Sequence, residues 1–206
     1  MKYSIFLILI IFCVYNAISQ AYHYRRYNVE SGVIEYEITG TSTGIEKLVF
    51  KDWGRIEVKY TSYKSQIKNE REEFHYSTFI FNDTTLSIDF NKKTGIMMKN
   101  DMPSDFLKAI DYSTTAVAFK NLMEKMGAKY IATEYLFGKE CMVWQIEKAG
   151  IKFWTWNNIT LKTEVNFMGI NTITQATNID INESIPDESF AIPKGITIKE
   201  LERKIK

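Results

Sequence analysis

The sequence predicts a mostly β, antiparallel fold with a helical insert, and three observations carry that prediction. Between Gly138 and Ile181, apolar and polar residues alternate in short runs. In Ile159–Phe167, for example, Ile159, Leu161, Val165 and Phe167 interleave with Thr160, Lys162, Glu164 and Asn166. Period two puts the two groups on opposite faces of a strand. Glu147–Gly150, Asn157–Asn158 and Met168–Gly169 separate the runs, each with a Gly or Asn able to take positive φ where the chain reverses. No run in this block is followed by a helical pattern, so neighbouring strands are expected to pair antiparallel.

Taken in order, the chain opens on Lys2, an apolar stretch Ile5–Tyr15 and the small-x-small triplet Ala17-Ile18-Ser19. This reads as an export signal over residues 1–19, with a mature chain from Gln20 in the periplasm or secreted. The apolar stretch is shorter than the ~20 residues a spanning helix needs. Bulky Phe12 before Cys13 argues against lipidation there. Nothing later is long and apolar enough to span a membrane, so no transmembrane segment is expected in the mature chain. That chain keeps one cysteine, Cys141, in an apolar run where packing is its role. Without Lys2 the 26 basic residues become 25, against 25 acidic ones, with no basic block. Nucleic acid is therefore excluded as a partner.

Residues 20–31 are polar and aromatic without helical period and read as an extended lead-in. Strand patterns come next. Ile34, Tyr36 and Ile38 alternate with Val33, Glu35, Glu37 and Thr39; Ile45–Phe50 comes after a reversal at Gly40–Gly44; Ile56, Val58 and Tyr60 alternate with Arg55, Glu57 and Lys59. A charged loop is expected over Ser62–Glu72, then strands at Phe74–Phe81, Leu86–Phe90 and Ile96–Lys99. This spacing fits a meander, a sandwich or a barrel. The period then changes. Pro103-Ser104-Asp105 can start a short helix through Tyr112 that carries Phe106. Ser113 and Thr114 can cap a second helix, in which Phe119, Leu122, Met123 and Met126 recur at three- and four-residue steps before Gly127. Strands resume at Tyr130–Phe137. The tail suggests a Pro-bounded turn and a last strand around Phe190–Ile198. Residues 20–206 read as a single domain.

Chemistry-bearing patterns are few. Gly40-Thr41-Ser42-Thr43-Gly44 matches the G-x-S-x-G nucleophile elbow, which needs a strand-to-helix turn; here a strand pattern comes after it, so a hairpin turn is expected. Glu73 and His75 share a strand face but lack the third and fourth ligands of a metal site. Asp180, Asp187 and Glu188 lie in a turn-rich stretch where carboxylates face water. No catalytic residue, metal or cofactor is therefore assigned. The aromatic residues are more informative. Trp144, Phe153, Trp154 and Trp156 crowd one hairpin and fall on both its faces, so the hairpin is either covered twice or lines a cavity.

The opening strand SGVIEYEITG, the helical insert between two strand blocks, the WTWNNITLKTEV hairpin and the closing FAIPKGITI together resemble the outer-membrane lipoprotein-sorting carriers, the LolA-like superfamily. That resemblance implies a large curved antiparallel sheet, an unclosed half-barrel whose concave side is capped by helices and holds acyl chains. The best-known carriers begin with a helix before the first strand, a pattern that residues 20–31 lack. Their lid-latching arginine has no counterpart that can be placed here, so no family residue is carried over. The leading expectation is a non-enzymatic periplasmic carrier or sensor of a lipid or other apolar ligand, lined by Phe106, Phe119, Met123, Trp144, Trp154 and Trp156. The competing one is an envelope interaction module with a filled core, binding a protein on its outer face. An extracytoplasmic hydrolase built on Ser42 is the third. A continuous apolar cavity beneath the helices would favour the first over the second.

Overall fold

The computed structural model describes residues 25–67, 70–99 and 115–201. The expected export signal (1–19) and the helix expected over Ser104–Tyr112, with Phe106, lie outside them. Twelve strands form one sheet: β1 Gly32–Gly40, β2 Ser42–Lys51, β3 Ile56–Ile67, β4 Glu70–Phe81, β5 Thr84–Asp89, β6 Thr94–Lys99, β7 Lys129–Leu136, β8 Lys139–Ile146, β9 Ile151–Trp156, β10 Ile159–Phe167, β11 Ile170–Ile181 and β12 Thr197–Leu201. Their order across the sheet is β12-β6-β5-β4-β3-β2-β1-β11-β10-β9-β8-β7. Since β12 and β7 stand at opposite ends, the sheet is not closed into a barrel. The mostly antiparallel, unclosed sheet expected above is what forms, with one short helix, α1 Thr115–Lys125, among the described residues.

Local chemistry explains most of the boundaries. Asn157 and Asn158 take φ of 50° and 64°, and Met168 and Gly169 take 49° and 82°, so both reversals are two-residue turns with positive φ throughout. Gly127, at φ +80°, ends α1, and the Ala128 N–H donates to the Met123 carbonyl at 3.0 Å. The β1–β2 turn depends on a glycine for a stricter reason. Gly40 sits at φ +102°, and a Cβ built there would lie 2.1 Å from the Asn171 carbonyl oxygen. We therefore expect Gly40→Ala to destabilise the fold by more than the ~1 kcal/mol of an ordinary glycine substitution, because strain and backbone collision add. Urea denaturation measures this directly.

Three expectations are corrected. The charged loop placed over Ser62–Glu72 is largely strand: β3 and β4 pair throughout, with Tyr63 opposite Phe74 and Lys64 opposite Glu73. The two rings stack at 4.9 Å and the opposite charges approach to 3.9 Å, so cross-strand pairing holds residues that look loop-like one by one. The last strand begins at Thr197, and Phe190 belongs instead to the short 3-10 turn Asp187–Phe190. That strand is also parallel to its neighbour, β6. The chain leaves β11 in mid-sheet and crosses a face to the far edge, the long connection that parallel pairing requires. Phe190, Ile185 and Ile196 seal that crossing against Val49, Val58, Phe79, Leu86 and Ile88.

The third correction is Glu57, grouped by alternation with the polar face of β3. It is 1% exposed. It faces Phe50 on β2 and Ile80 on β4, and residues 25–31 cover that side. The Arg26 and Tyr27 N–H groups both donate to the Trp53 carbonyl (2.9 and 3.1 Å), and the Asn28 N–H donates to that of Asn157. Tyr27 then packs edge-on against Phe50, with centroids 4.6 Å apart. The lead-in is therefore a structural strap and part of the core.

Candidate functional site

The helix-bearing face of β8–β10 is the place where the expected site residues can be examined. Successive residues of β9 point to opposite sides of the sheet. Ile151, Phe153 and Thr155 go one way and Lys152, Trp154 and Trp156 the other. Trp144 lies opposite Phe153 on β8 and so shares its face. There Phe119 and Met123 of α1 come down on Trp144, Phe153, Ile151 and Val165 in one buried cluster, with Met126, Met142 and Ile146 at its margin. Phe119 meets the Trp144 indole edge-on at 6.3 Å between centroids. The indole Nε1–H donates to Thr155 Oγ1 at 3.2 Å, so the buried polar atom is satisfied.

Phe119 and Met123 are 4% and 3% exposed, and Trp144 is 1% exposed. The expected trio of helix and sheet residues is therefore together and filled by its own side chains. Trp154 and Trp156 are elsewhere. They pack on the opposite face with Tyr36, Cys141, Val143, Ile159 and Leu161. Lys152 and Lys162 lie over the Trp154 ring at 4.4 and 4.5 Å, and Lys139 lies over Trp156 at 4.1 Å. It is the ammonium nitrogens that lie over the rings, so these are cation–π contacts. Trp154 Nε1–H donates to Glu134 Oε2 at 2.7 Å, a bond that holds the Glu134 carboxyl below its ordinary pKa. Phe106 lies outside the described residues.

The same face of β2 and β3 that carries Leu48 and Phe50 also holds charge. Glu57 accepts from Tyr27 Oη at 2.6 Å and pairs with Arg26 at 3.1 Å, with both charged side chains almost wholly buried. Farther along, Lys59 and Glu46 pair at 3.4 Å, and Thr61 donates to Glu46. This is the face of Trp154, opposite the seat of α1; a hydrocarbon cannot solvate its buried Arg26–Glu57 pair, so this stretch is unsuited to an acyl chain. The buried Arg26–Glu57 pair was missed at the level of sequence. Its only sequence signal is an arginine within an aromatic lead-in.

Two open clefts lie on the described surface. The larger, about 520 Å³, lies between the tail turn and β1–β2, lined by Val33, Glu35, Lys47, Val49, Asp180 and Ile185 among others. A smaller one of about 240 Å³ lies beside Gly44, Tyr63 and Glu73. Burial, followed by the neighbouring Tyr76 and Glu72, pushes the Tyr63 hydroxyl up to about 12. Neutral Tyr63 thus adds stability that is fully present below pH ~10 and is lost as pH rises through about 12. Tyr60, Tyr76 and Tyr135 are also held above the ordinary tyrosine range, so the alkaline titration of tyrosinate absorbance should show several late-ionising groups and lose one of them in Tyr63→Phe.

The candidate catalytic groups are not assembled. Ser42 begins β2 immediately after the turn, and its hydroxyl lies 3.4 Å from that of Ser65. His75 Nδ1 instead meets Ser62 Oγ at 3.0 Å, and its Nε2 lies 3.4 Å from Glu73. Burial pushes the Cys141 thiol up, which disfavours the reactive thiolate. Among the described residues no group of three or more His, Cys, Asp or Glu could hold a metal ion, and no helix is long and apolar enough to cross a membrane.

No protein-family model matches the chain, and no curated protein matches it. Solved structures do. A conserved uncharacterized protein from Thermus thermophilus superposes with a TM-score of 0.52 at 6% identity, covering 93% of this chain and 99% of its own. MucB superposes at 0.44 with 8% identity, covering 91% of this chain; the chain spans 63% of MucB. A Vibrio parahaemolyticus domain described as a putative outer membrane lipoprotein-sorting protein gives 0.30 at 12% identity, over 80% of this chain and 91% of that one. At these identities the likeness is one of fold.

Proposed function

We propose that the chain is a non-enzymatic binding protein of the cell envelope, an interaction module that recognises a partner protein with its outer surface while its core stays filled. The observation that carries this reading is the seating of Phe119 and Met123 directly on Trp144 and Phe153. The space a carrier would keep for its cargo is occupied there by the protein's own side chains. The buried Arg26–Glu57 pair makes the opposite face, that of Leu48 and Phe50, unsuited to an acyl chain as well. The envelope location rests on the export signal read at residues 1–19, and the non-enzymatic reading on the separation of Ser42 from His75.

A second reading keeps the apolar carrier or sensor. It is favoured by the composition of the helix seat, where Met123, Met126 and Met142 surround Trp144. Methionine-rich surfaces repack readily around different apolar guests. In that reading α1 lifts, and Phe119, Met123 and Trp144, with Phe106, line the space vacated; Trp154 and Trp156 would form its outer wall. Met123→Trp would then block uptake without unfolding the chain.

Native mass spectrometry of exported protein purified without detergent separates the two. The module predicts a protein mass with no adduct, before and after incubation with palmitate. A retained or acquired lipid adduct would overturn it in favour of the carrier. The hydrolase alternative is tested by Ser42→Ala, which should leave partner binding intact and change stability by less than ~1 kcal/mol, since Ser42 loses one partly exposed hydroxyl contact. Labelling of Ser42 by a fluorophosphonate would contradict the non-enzymatic reading.

A further inference from the structure

The β7 edge of the sheet carries more exposed apolar surface than its position allows a solitary chain. Tyr130, Ile131, Tyr135 and Phe137 are 50%, 44%, 69% and 52% exposed, four of the ten large exposed apolar side chains among the described residues, all within eight positions. β7 pairs with β8 on one side and, among the described residues, is the last strand of the sheet on the other. Such an edge is a template for another strand unless it is blunted. Lys129 and the β7–β8 register shift between Tyr130 and Ala132 blunt one end; the mid-strand Glu134 carboxylate is tied to Trp154 on β9.

The turn into β8 fixes which groups face outward. Phe137 and Gly138 have φ of 53° and 68°, a two-residue reversal closed by the pair Leu136–Lys139. In such a turn the closing pair exchanges hydrogen bonds, and bonded and non-bonded pairs then alternate. Tyr135 and Thr133, opposite Glu140 and Met142, fall in the non-bonded class. Their N–H and C=O groups therefore point to the open edge. Ile131, the extra residue in the shifted register, has no partner on β8 at all.

We infer that β7 pairs antiparallel with β7 of a second copy of this chain, about a two-fold axis through Thr133. A two-fold axis perpendicular to the sheet requires a residue to oppose itself. With Thr133 at the axis, Ile131 of each copy meets Tyr135 of the other, a β-branched residue against an aromatic one. Ala132 then meets Glu134, and Lys129 reaches Phe137, so no like charges are opposed. Centring on Ala132 would fail, because its main-chain groups point towards β8. Centring on Tyr135 would carry the pairing past the end of the strand. The self-complementary register, rather than apolar exposure alone, selects a second copy as the occupant. Each edge would be covered once, joining two twelve-stranded sheets into one. The inference stands on the β7 edge and is independent of whether the core is filled or carries a guest.

Three measurements test it on the mature chain. Light scattering coupled to gel filtration should give twice the chain mass for the wild type. Thr133→Lys, which sets two ammonium groups face to face at the axis, should give the single mass while circular dichroism stays unchanged. Thr133→Cys should cross-link to a covalent dimer on mild oxidation, because directly opposed residues have Cα atoms about 5.5 Å apart, within disulfide range; Cys141 is buried and does not compete. A wild type of single mass at the highest soluble concentration overturns the inference. So does a Thr133→Lys dimer, or a Thr133→Cys chain that does not cross-link.

Discussion

Arg26→Ala is expected to cost the fold about 3–5 kcal/mol, the range for removing one partner of a buried ion pair. Arg26 is 4% exposed and Glu57 1% exposed, so losing the guanidinium leaves a carboxylate in low dielectric, helped by the Tyr27 hydroxyl. Water cannot easily reach it, because Phe50, Ile80 and the Tyr27 ring enclose the site. In a chain of this length such a loss lowers Tm by roughly 6–20 °C. The strap keeps its docking on Trp53, because the Arg26 and Tyr27 N–H groups that make it belong to the backbone. Replacing both members, as Arg26→Met with Glu57→Leu, should recover most of the loss, because an apolar pair of similar volume needs no compensation for buried charge. Urea titration of the two single variants and the double variant gives the coupling. A single-variant loss below ~1 kcal/mol, the value of a surface pair, would mean that solvent enters and that the strap is not a sealed part of the core.

Trp144→Ala is the second large effect, again about 3–5 kcal/mol by the range for large-to-small aromatic truncations in cores. The indole is the largest fully buried side chain. Phe119 and Tyr130 both lean on it edge-on, at 6.3 and 5.8 Å. Truncation therefore empties the seat of α1 and loosens the start of β7 together. Amide exchange should show α1 and residues 129–132 losing protection before the β1–β2 pair does. Trp154→Ala should behave differently. Its ring is held between Lys152 and Lys162 on the opposite face, so α1 should keep its protection. If both variants loosen α1 equally, the two tryptophans share one core and the two-face description is wrong.

Much of this architecture was legible because the information was local. The Asn157–Asn158 and Met168–Gly169 turns announced themselves by residues that tolerate positive φ. The alternation of Ile159–Phe167 fixed a strand, and the spacing of Phe119, Met123 and Met126 fixed a helix face. Ser42 could be set aside as a nucleophile because the residues after Gly44 carry a strand pattern rather than a helical one. The features that stayed hidden depended on partners distant in sequence. Alternation grouped Glu57 with Arg55 and Lys59 correctly, but it does not say what lies over that face. The covering is Arg26 and Tyr27, thirty residues away. The parallel pairing of β12 depends on Phe190, Ile185 and Ile196 finding the apolar face of β2–β6, which no window of the tail contains. The long β3–β4 hairpin hid behind Lys64 and Glu73, whose pairing appears only once the strands are in register. For the candidate site, the sequence showed that aromatics lie on both faces of one hairpin. It did not show that Trp144 and Trp154 sit in separate clusters, because the helix could have covered either face.

Everything proposed for the function turns on a helix seat that is filled and stays filled. Titration of the mature chain with palmitate, followed by tryptophan fluorescence, tests this most directly, because Trp144 is the floor of that seat. A filled seat predicts an emission spectrum unchanged in position and intensity up to the solubility limit of the fatty acid. A saturable shift or quench, abolished in Trp144→Phe and blocked by Met123→Trp, would contradict it and make the chain a carrier.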